Sequence, residues 1–448
     1  MSNEPLPNPF PGPLPDPLPN LRGQRNAAFA ISAYFFVNGA VYGSWVPRLP
    51  DIKRSLHLSD SGLGLALTGA VIGSLAVSPL FSKVVDRFGS RVTTRYSSLM
   101  IACVLPVVAF APTSLAFFLA LMCLGVGDAF ADVAVNTQAM ELQVQRSRSI
   151  MTRLHGAWSI GTLTSGLVAG RCAATGVSVR TQLLVTMGAL ISVALVAVRW
   201  LLADTKVTPT GAVAVAGTGA GTGAVAVAGT GAGAGAGAGA GVATAAGSTS
   251  ASPAATAPHE TPPLDWRGPS RASVALVVLA GAGAVLAELP ATEWATLIMI
   301  ERFAMTPGRA TLGFAGFAIG MVVGRMVGDN AADRLGVTKG RRLGAALNAV
   351  GFLIACLVPN AGVVVAALTL AGVGSSWINP LLVRRAAEVF KGPRGPALAG
   401  VGARAGILLG SPLMGRLSDA RSRSFALLVI GGGAALLLTV LRLPGDES

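Results

Sequence analysis

A chain of 448 residues that is 52% hydrophobic and only 12% charged, with a mean hydropathy of +0.63, carries about half the charge of a soluble domain and cannot coat a water-soluble body of this size. Its net charge of +14 would point to nucleic acid in a soluble protein. Here the basic residues fall between apolar blocks, so orientation in a lipid bilayer explains them and no nucleic-acid partner is implied.

From Met1 to Asn20 the chain carries prolines at nearly every second or third position between Pro5 and Pro19. No charged segment runs directly into an apolar core and a cleavage site. Residues 1–26 therefore read as a disordered, polyproline-like tail and not as a signal peptide. Six apolar blocks follow, at 27–46, 62–82, 94–112, 115–137, 155–174 and 181–202. Each is near the twenty residues or so that cross a hydrocarbon core of about 30 Å. Residues 203–271 interrupt the pattern with GAVAVAGTGAGT at 211–222, a near copy from 223, and then alternating Gly and Ala. Such a segment has few large side chains to bury and a high entropy cost of ordering, so a disordered linker is expected. Six more blocks complete the chain, at 272–299, 310–329, 342–359, 361–383, 397–416 and 424–442. The expected fold is an all-α integral membrane protein with twelve transmembrane helices in two six-helix bundles, 27–202 and 272–443.

Basic residues set the expected orientation. One series of loops holds Lys83, Arg87, Arg91, Arg95, Arg146, Arg148, Arg153, Arg334, Lys339, Arg341, Arg342, Arg384, Arg385, Lys391 and Arg394. The opposite series holds Arg48, Lys53, Arg54, Arg180, Arg302, Arg309, Arg421 and Arg423. The richer series is expected on the cytoplasmic side of the cytoplasmic membrane, together with both termini and the linker.

The halves repeat. Asp86-Arg87-Phe88-Gly89 returns as Asp333-Arg334-Leu335-Gly336, Gly69 and Gly73 as Gly316 and Gly320, Pro112 as Pro359, and Gly125-Val126-Gly127 as Gly372-Val373-Gly374, all at an offset of 247. Parallel halves of this kind are a transporter architecture with the substrate path between them. The segment from Ser82 through Asp86, Arg87 and Gly89 to Arg91 resembles the signature loop G-x-x-x-D-R-x-G-x-R of the major facilitator superfamily, with Ser82 in place of its first glycine. Further segments are similar to the fucose-permease-like branch and its bacterial relatives. They are Asn38-Gly39 with Trp45 and Leu49-Pro50, Asp132-Val-Ala-Val-Asn136, Leu154-His155-Gly156, and Glu288 with Glu293-Trp294. The resemblance implies a monomeric secondary carrier that moves a small organic solute by alternating access with protons, as in symport. It also implies that Asp86 latches the cytoplasmic gate against the start of the eleventh helix, near 392–396, where a helix N-terminus attracts a carboxylate. Two rivals stand beside it, a drug–proton antiporter and a non-transporting receptor or scaffold. Such exporters carry a Gly-Pro-rich motif in the fifth helix, which here runs from Gly156 to Gly166 without proline.

Residues able to carry mechanism are few. Asp128 and Asp132 share one face of the fourth helix. An ionised carboxylate at mid-bilayer costs about 2.5–3.5 kcal/mol, so each must meet water, a partner or a proton. Asp132, preceding Asn136, is the first candidate for a proton or substrate site, and the resemblance places a functional acid there; a buried carboxylate paired with arginine is the alternative. Glu288 and Glu293 flank Pro290, which removes a backbone hydrogen bond and can break the seventh helix beside them; Glu293 could instead lie among headgroups. Asn38 and Asn379 suit interhelical hydrogen bonds or substrate contact. Trp45, Trp158, Trp294 and Trp377 could stack on a ligand, and Trp45 and Trp294 could equally anchor at the interface. Arg404 would bind an anion or pair with an acid. Gly316, Gly320, Gly324 and Gly328 form a packing stripe. Cys103, Cys123, Cys172 and Cys356 lie inside apolar blocks, and His57, His155 and His259 are isolated. No metal site, cofactor or enzymatic constellation is expected, and without a G-x-x-x-x-G-K-S/T loop neither is ATP-driven transport.

Overall fold

The computed structural model describes residues 21–146, 150–203, 270–390, 394–443 and 446. The tail up to residue 20 and nearly all of the linker lie outside the described residues. Every regular element among the described residues is helical. The first half comprises α1 (Leu21–Trp45), α2 (Leu49–Ser55), α3 (Asp60–Val77), α4 (Phe81–Phe88), α5 (Ser90–Phe110), α6 (Ser114–Arg146), α7 (Met151–Ala174) and α8 (Val179–Ala197). The second comprises α9 (Arg271–Leu286), α10 (Leu289–Phe303), α11 (Pro307–Leu335), α12 (Val337–Leu357), α13 (Ala361–Val389), α14 (Arg394–Ala420), α15 (Arg423–Ala426) and α16 (Gly433–Val440). A six-residue π-helical stretch, Leu427–Gly432, joins the last two.

Local chemistry sets several helix starts. The side chains of Ser59, Ser178, Ser270, Asn360 and Ser422 each accept from a backbone N–H three residues on, the N-cap arrangement. Gly89 and Gly336 end the loops between α4 and α5 and between α11 and α12 with φ of 84° and 80°. Only glycine adopts that backbone readily, and the pair keeps the 247-residue offset of the sequence repeat. Eleven helical segments among the described residues are long and apolar enough to cross a bilayer. The twelfth, α7, falls short because Arg153, Arg171 and a run of Ser and Thr dilute its apolar residues.

The seventh span is broken. Pro290 cannot donate to the Leu286 carbonyl, and the chain turns at Ala287 and Glu288 between α9 and α10. Asn348 on α12, wholly buried, donates its Nδ2 to the Ala287 carbonyl at 3.1 Å, and also lies within bonding distance of the Ala371 carbonyl and the Ser375 hydroxyl. A carbonyl released by the break thus finds a partner, as a backbone group at membrane depth requires.

The halves meet along two seams, α3 on α14 and α7 on α11. The first seam is tight at Gly64, which lies against the Ser411 carbonyl, and at Gly415, which lies against the Asp60 carbonyl, with no room for a Cβ at either. Both seams run toward the face that carries Asp60. At the opposite face, among the described residues, α4, α5 and α6 make no comparable packing with α12 and α13. The glycine stripe of the eighth span packs on α13, Gly320 against the Thr369 carbonyl and Gly324 against Ser376.

Candidate functional site

Between the halves, at the α9–α10 break, lies a cavity of about 570 Å³ including its mouth. The first half supplies Tyr42, Trp158, Ser159 and Thr162. The second supplies Glu288, Thr292 and Glu293 from around the break, with Phe314, Phe317 and Met321 of α11 as an apolar wall. This volume and mixture of apolar wall with few polar groups suit a small organic ligand.

Glu288 and Glu293 are each 7% exposed, so both carboxyl groups are enclosed by protein. Glu293 accepts a 2.7 Å hydrogen bond on Oε2 from the Ser411 hydroxyl of α14. The Trp294 indole lies near the same carboxylate without a hydrogen bond to it. Glu288 sits within electrostatic reach of Arg325 on α11. Arg325 in turn donates across the seam to the Ser159 hydroxyl and lies 5.8 Å from the centroid of the Trp158 ring. One guanidinium thus joins an acid of the second half to a hydroxyl and an aromatic face of the first. Tyr42 lies beside Thr292 and within electrostatic reach of Glu293, Glu288 and Asp128.

The other candidates take different places. Asp132 accepts a 2.8 Å hydrogen bond from Asn136 Nδ2 one turn along α6 and does not line the cavity. Asp128 is its electrostatic neighbour. Asn38 ties α1 to α5 by accepting from Ser98 at 3.4 Å. Asn379 is buried in α13 with no hydrogen bond from a described side chain. Arg404 is half-buried on α14 and away from the cavity lining. Trp45 and Trp294 are buried within the protein, and Trp377 donates to the Gly324 carbonyl at 2.8 Å.

At the Asp60 face a lock closes the α3–α14 seam. Asp419, near the end of α14, accepts from the backbone N–H groups of Asp60 (3.0 Å) and Ser61 (2.8 Å) at the start of α3, where the helix dipole favours a carboxylate. Arg423 clasps the Asp60 carboxylate with two bonds of 2.8 and 2.9 Å, and Lys53 adds a third contact at 3.1 Å. The carboxylate-to-helix latch expected of Asp86 is therefore formed here on the other face. Asp86 itself, with Arg87 and Arg334, is exposed. Arg91 instead caps the carbonyl of Val198 at 3.2 Å. The side chain of Asp333, beside Gly336, lies outside the described residues.

Sequence reasoning missed Arg325 and the lock. A cation inside the glycine stripe of the eighth span was the available signal for the first. The lock joins residues some 359 apart in sequence; its basic members Lys53 and Arg423 had been read only as markers of topology, and its acids Asp60 and Asp419 had not been singled out.

The sequence profile of the Major Facilitator Superfamily matches residues 31–220 and 272–448. An uncharacterised MFS-type transporter of Yersinia pestis is 26% identical over 412 residues, covering 91% of this chain and 92% of its own length. The crystal structure of the nucleoside transporter NupG superposes with a TM-score of 0.61 at 13% identity, covering 92% of this chain and 97% of that one. FucP, a superfamily transporter solved in the outward conformation, gives 0.56 at 14% identity, covering 94% and 98%. These two likenesses show the fold.

Proposed function

The chain belongs to the Major Facilitator Superfamily and is a multi-pass membrane transporter working by alternating access, and from that premise we propose that it is a proton-coupled carrier of a small organic solute whose transport site is the cavity at the α9–α10 break. The observation that carries this reading is Glu288, a buried acid at the break, facing Arg325, which bonds to the opposite half. Intramembrane acids of this kind are proton-relay positions. Protonation of Glu288 removes the charge that holds Arg325 on its own half. The same event therefore alters the Arg325–Ser159 link across the seam, which ties proton occupancy to the relation between halves.

The basic-residue asymmetry supports placing the Asp60 face outside and the Asp86 face, with both termini and the linker, in the cytoplasm of a bacterial-type plasma membrane. In that orientation the state is closed outward and parted inward. Opening to the outside breaks the Asp419 and Arg423 contacts; closing the inside brings Asp86 toward the start of α14. The transporter acts as a monomer in this reading. Asp132, paired with Asn136, remains a second proton-carrying candidate on α6.

A thermal-shift screen of purified full-length protein against sugars, organic acids, amino acids and amines tests the cavity. A solute that stabilises wild type is expected to lose its effect in Thr162→Phe, which fills the cavity. Stabilisation that persists in this variant, itself folded by size-exclusion profile, would place the site elsewhere.

A further inference from the structure

We propose that the cavity takes a small organic monocation, an ammonium group on a compact apolar or aromatic body, with Glu293 as its counter-charge. The inference rests on the reading of the cavity as the transport site. Two carboxyl groups line it, and among the described lining residues none is basic.

The two acids differ in their surroundings. Glu288 has Arg325 within electrostatic reach. Glu293 has no ion pair with a described residue; Oε2 holds the Ser411 hydroxyl, and Oε1 takes no hydrogen bond from one. The charged groups nearby are few. Tyr42 of α1, Glu288 at the start of α10 and Asp128 of α6 surround the same space and supply only negative or neutral groups. His155 of α7 lies within electrostatic reach of Arg325. Arg404, seven residues before Ser411 on α14, does not line the cavity. With both glutamates ionised and Asp128 neutral, Arg325 offsets one charge and a single negative charge is left in a low-dielectric space, which is costly unless a cation meets it. A proton satisfies that requirement, and so does one substrate ammonium.

The walls suit the rest of such a molecule. The Tyr42 and Trp158 rings lie 6.4 Å apart, centroid to centroid. Trp158 receives the Arg325 guanidinium over its ring at 5.8 Å, which leaves the Tyr42 ring for a substrate cation by the ring quadrupole. Phe314, Phe317 and Met321 offer apolar surface opposite. Because substrate and proton neutralise the same carboxylate, each displaces the other. Where Glu293 is protonated in the free protein, one proton leaves it for each monocation bound, so this binding step is an exchange, while the proton on Glu288 still governs the Arg325–Ser159 link. This distinguishes the inference from proton symport of a neutral solute.

The test uses matched probes that differ only in charge: phenethylamine, 2-phenylethanol and phenylacetate, with butylamine, butanol and butyrate as the aliphatic set. Each is titrated by thermal shift and by Trp fluorescence into purified full-length wild type, Glu293→Gln and Thr162→Phe. Binding is expected from the amines alone, lost in both variants, with Kd rising about tenfold per pH unit once Glu293 is protonated in the free protein, as linkage requires. Protons released on amine binding, read with a pH dye in weak buffer, are expected at one per site below the pH at which Glu293 protonates in the free protein, and at none well above it. Three results would overturn the inference: binding by the alcohol or acid member in place of the amine, amine binding unchanged in Glu293→Gln, or no amine bound at millimolar concentration. A neutral probe lost in Thr162→Phe and kept in Glu293→Gln would retain the cavity and remove the charge assignment. Binding that survives both variants would remove the cavity itself.

Discussion

The Ser411 hydroxyl donates to Glu293 at 2.7 Å, while the carbonyl of the same residue lies against Gly64 of the other half. One residue of α14 therefore touches both a cavity acid and the seam that closes the Asp60 face. Further along α14, Gly415 and Asp419 continue that seam to the N-terminus of α3. Whatever changes the charge on Glu293 acts at the inner end of this closure.

A side chain at Gly64 should wedge the seam. Gly64→Val is expected to favour the state open at the Asp60 face, because any Cβ there meets the Ser411 carbonyl. The measurement is maleimide labelling of a cysteine introduced by Ser61→Cys, in protein whose native cysteines are replaced. Faster labelling is predicted in Gly64→Val than in the glycine parent. Equal rates would mean that this contact does not hold the face shut.

The Arg423 clasp should contribute separately. Arg423→Ala removes two charge-assisted hydrogen bonds from Asp60, a class worth about 1.5–3 kcal/mol each when buried and less at a wet edge. Lys53 remains as a partner, so the protein should fold. Labelling at position 61 is expected to rise severalfold, and to return toward wild type with Arg423→Lys. A rate unmoved by Arg423→Ala would make the clasp incidental.

The C-terminal segment offers a pH test away from the membrane core. Burial pushes the Asp446 carboxyl up, but the Thr338 hydroxyl, the Leu443 N–H, Arg341 and Arg385 outweigh it and hold the group below the usual carboxylate range. A depressed folded-state pKa means that docking of this segment is favoured at full strength above the free value of about 3.9, and weakens as pH falls through the lower folded one. Hydrogen-exchange protection of 438–443, corrected for the intrinsic rate at each pH, should be flat near neutrality and fall only in acid, while in Asp446→Asn it should be low at every pH. Protection unchanged by the variant would show that Asp446 does not pin the segment, even though Arg341, with its side chain fully buried, bonds to it at 3.1 Å.

The spans, the repeat and the break at Pro290 were legible because each follows from local composition: apolar length, glycine at a positive φ, a missing N–H. Asp128 and Asp132 were placed correctly on one helix, since their spacing determines that much. Spacing does not say how far a face lies from a cavity, and Asp132 turned out to be held by Asn136 one turn on. Arg325 was passed over because its glycine neighbours made the eighth span look like packing surface alone. Asp60, Asp419 and Arg423 come together only when the halves close on one another, and pairwise proximity over that distance leaves no local pattern. The Asp86 loop was readable as a motif, but a motif does not say which state of a two-state machine is present.

The most direct test of the transport account is made in proteoliposomes at matched protein levels, with the solute selected by the binding screen. Accumulation driven by a pH gradient and counterflow at equal pH are compared for wild type, Glu288→Gln and Asp132→Asn. Glutamine keeps the shape of Glu288 and fixes it neutral, so Glu288→Gln is predicted to lose driven accumulation while counterflow continues. Asp132→Asn is predicted to retain both. Wild-type accumulation by Glu288→Gln would contradict the account, and loss of accumulation in Asp132→Asn alone would move the proton site to α6.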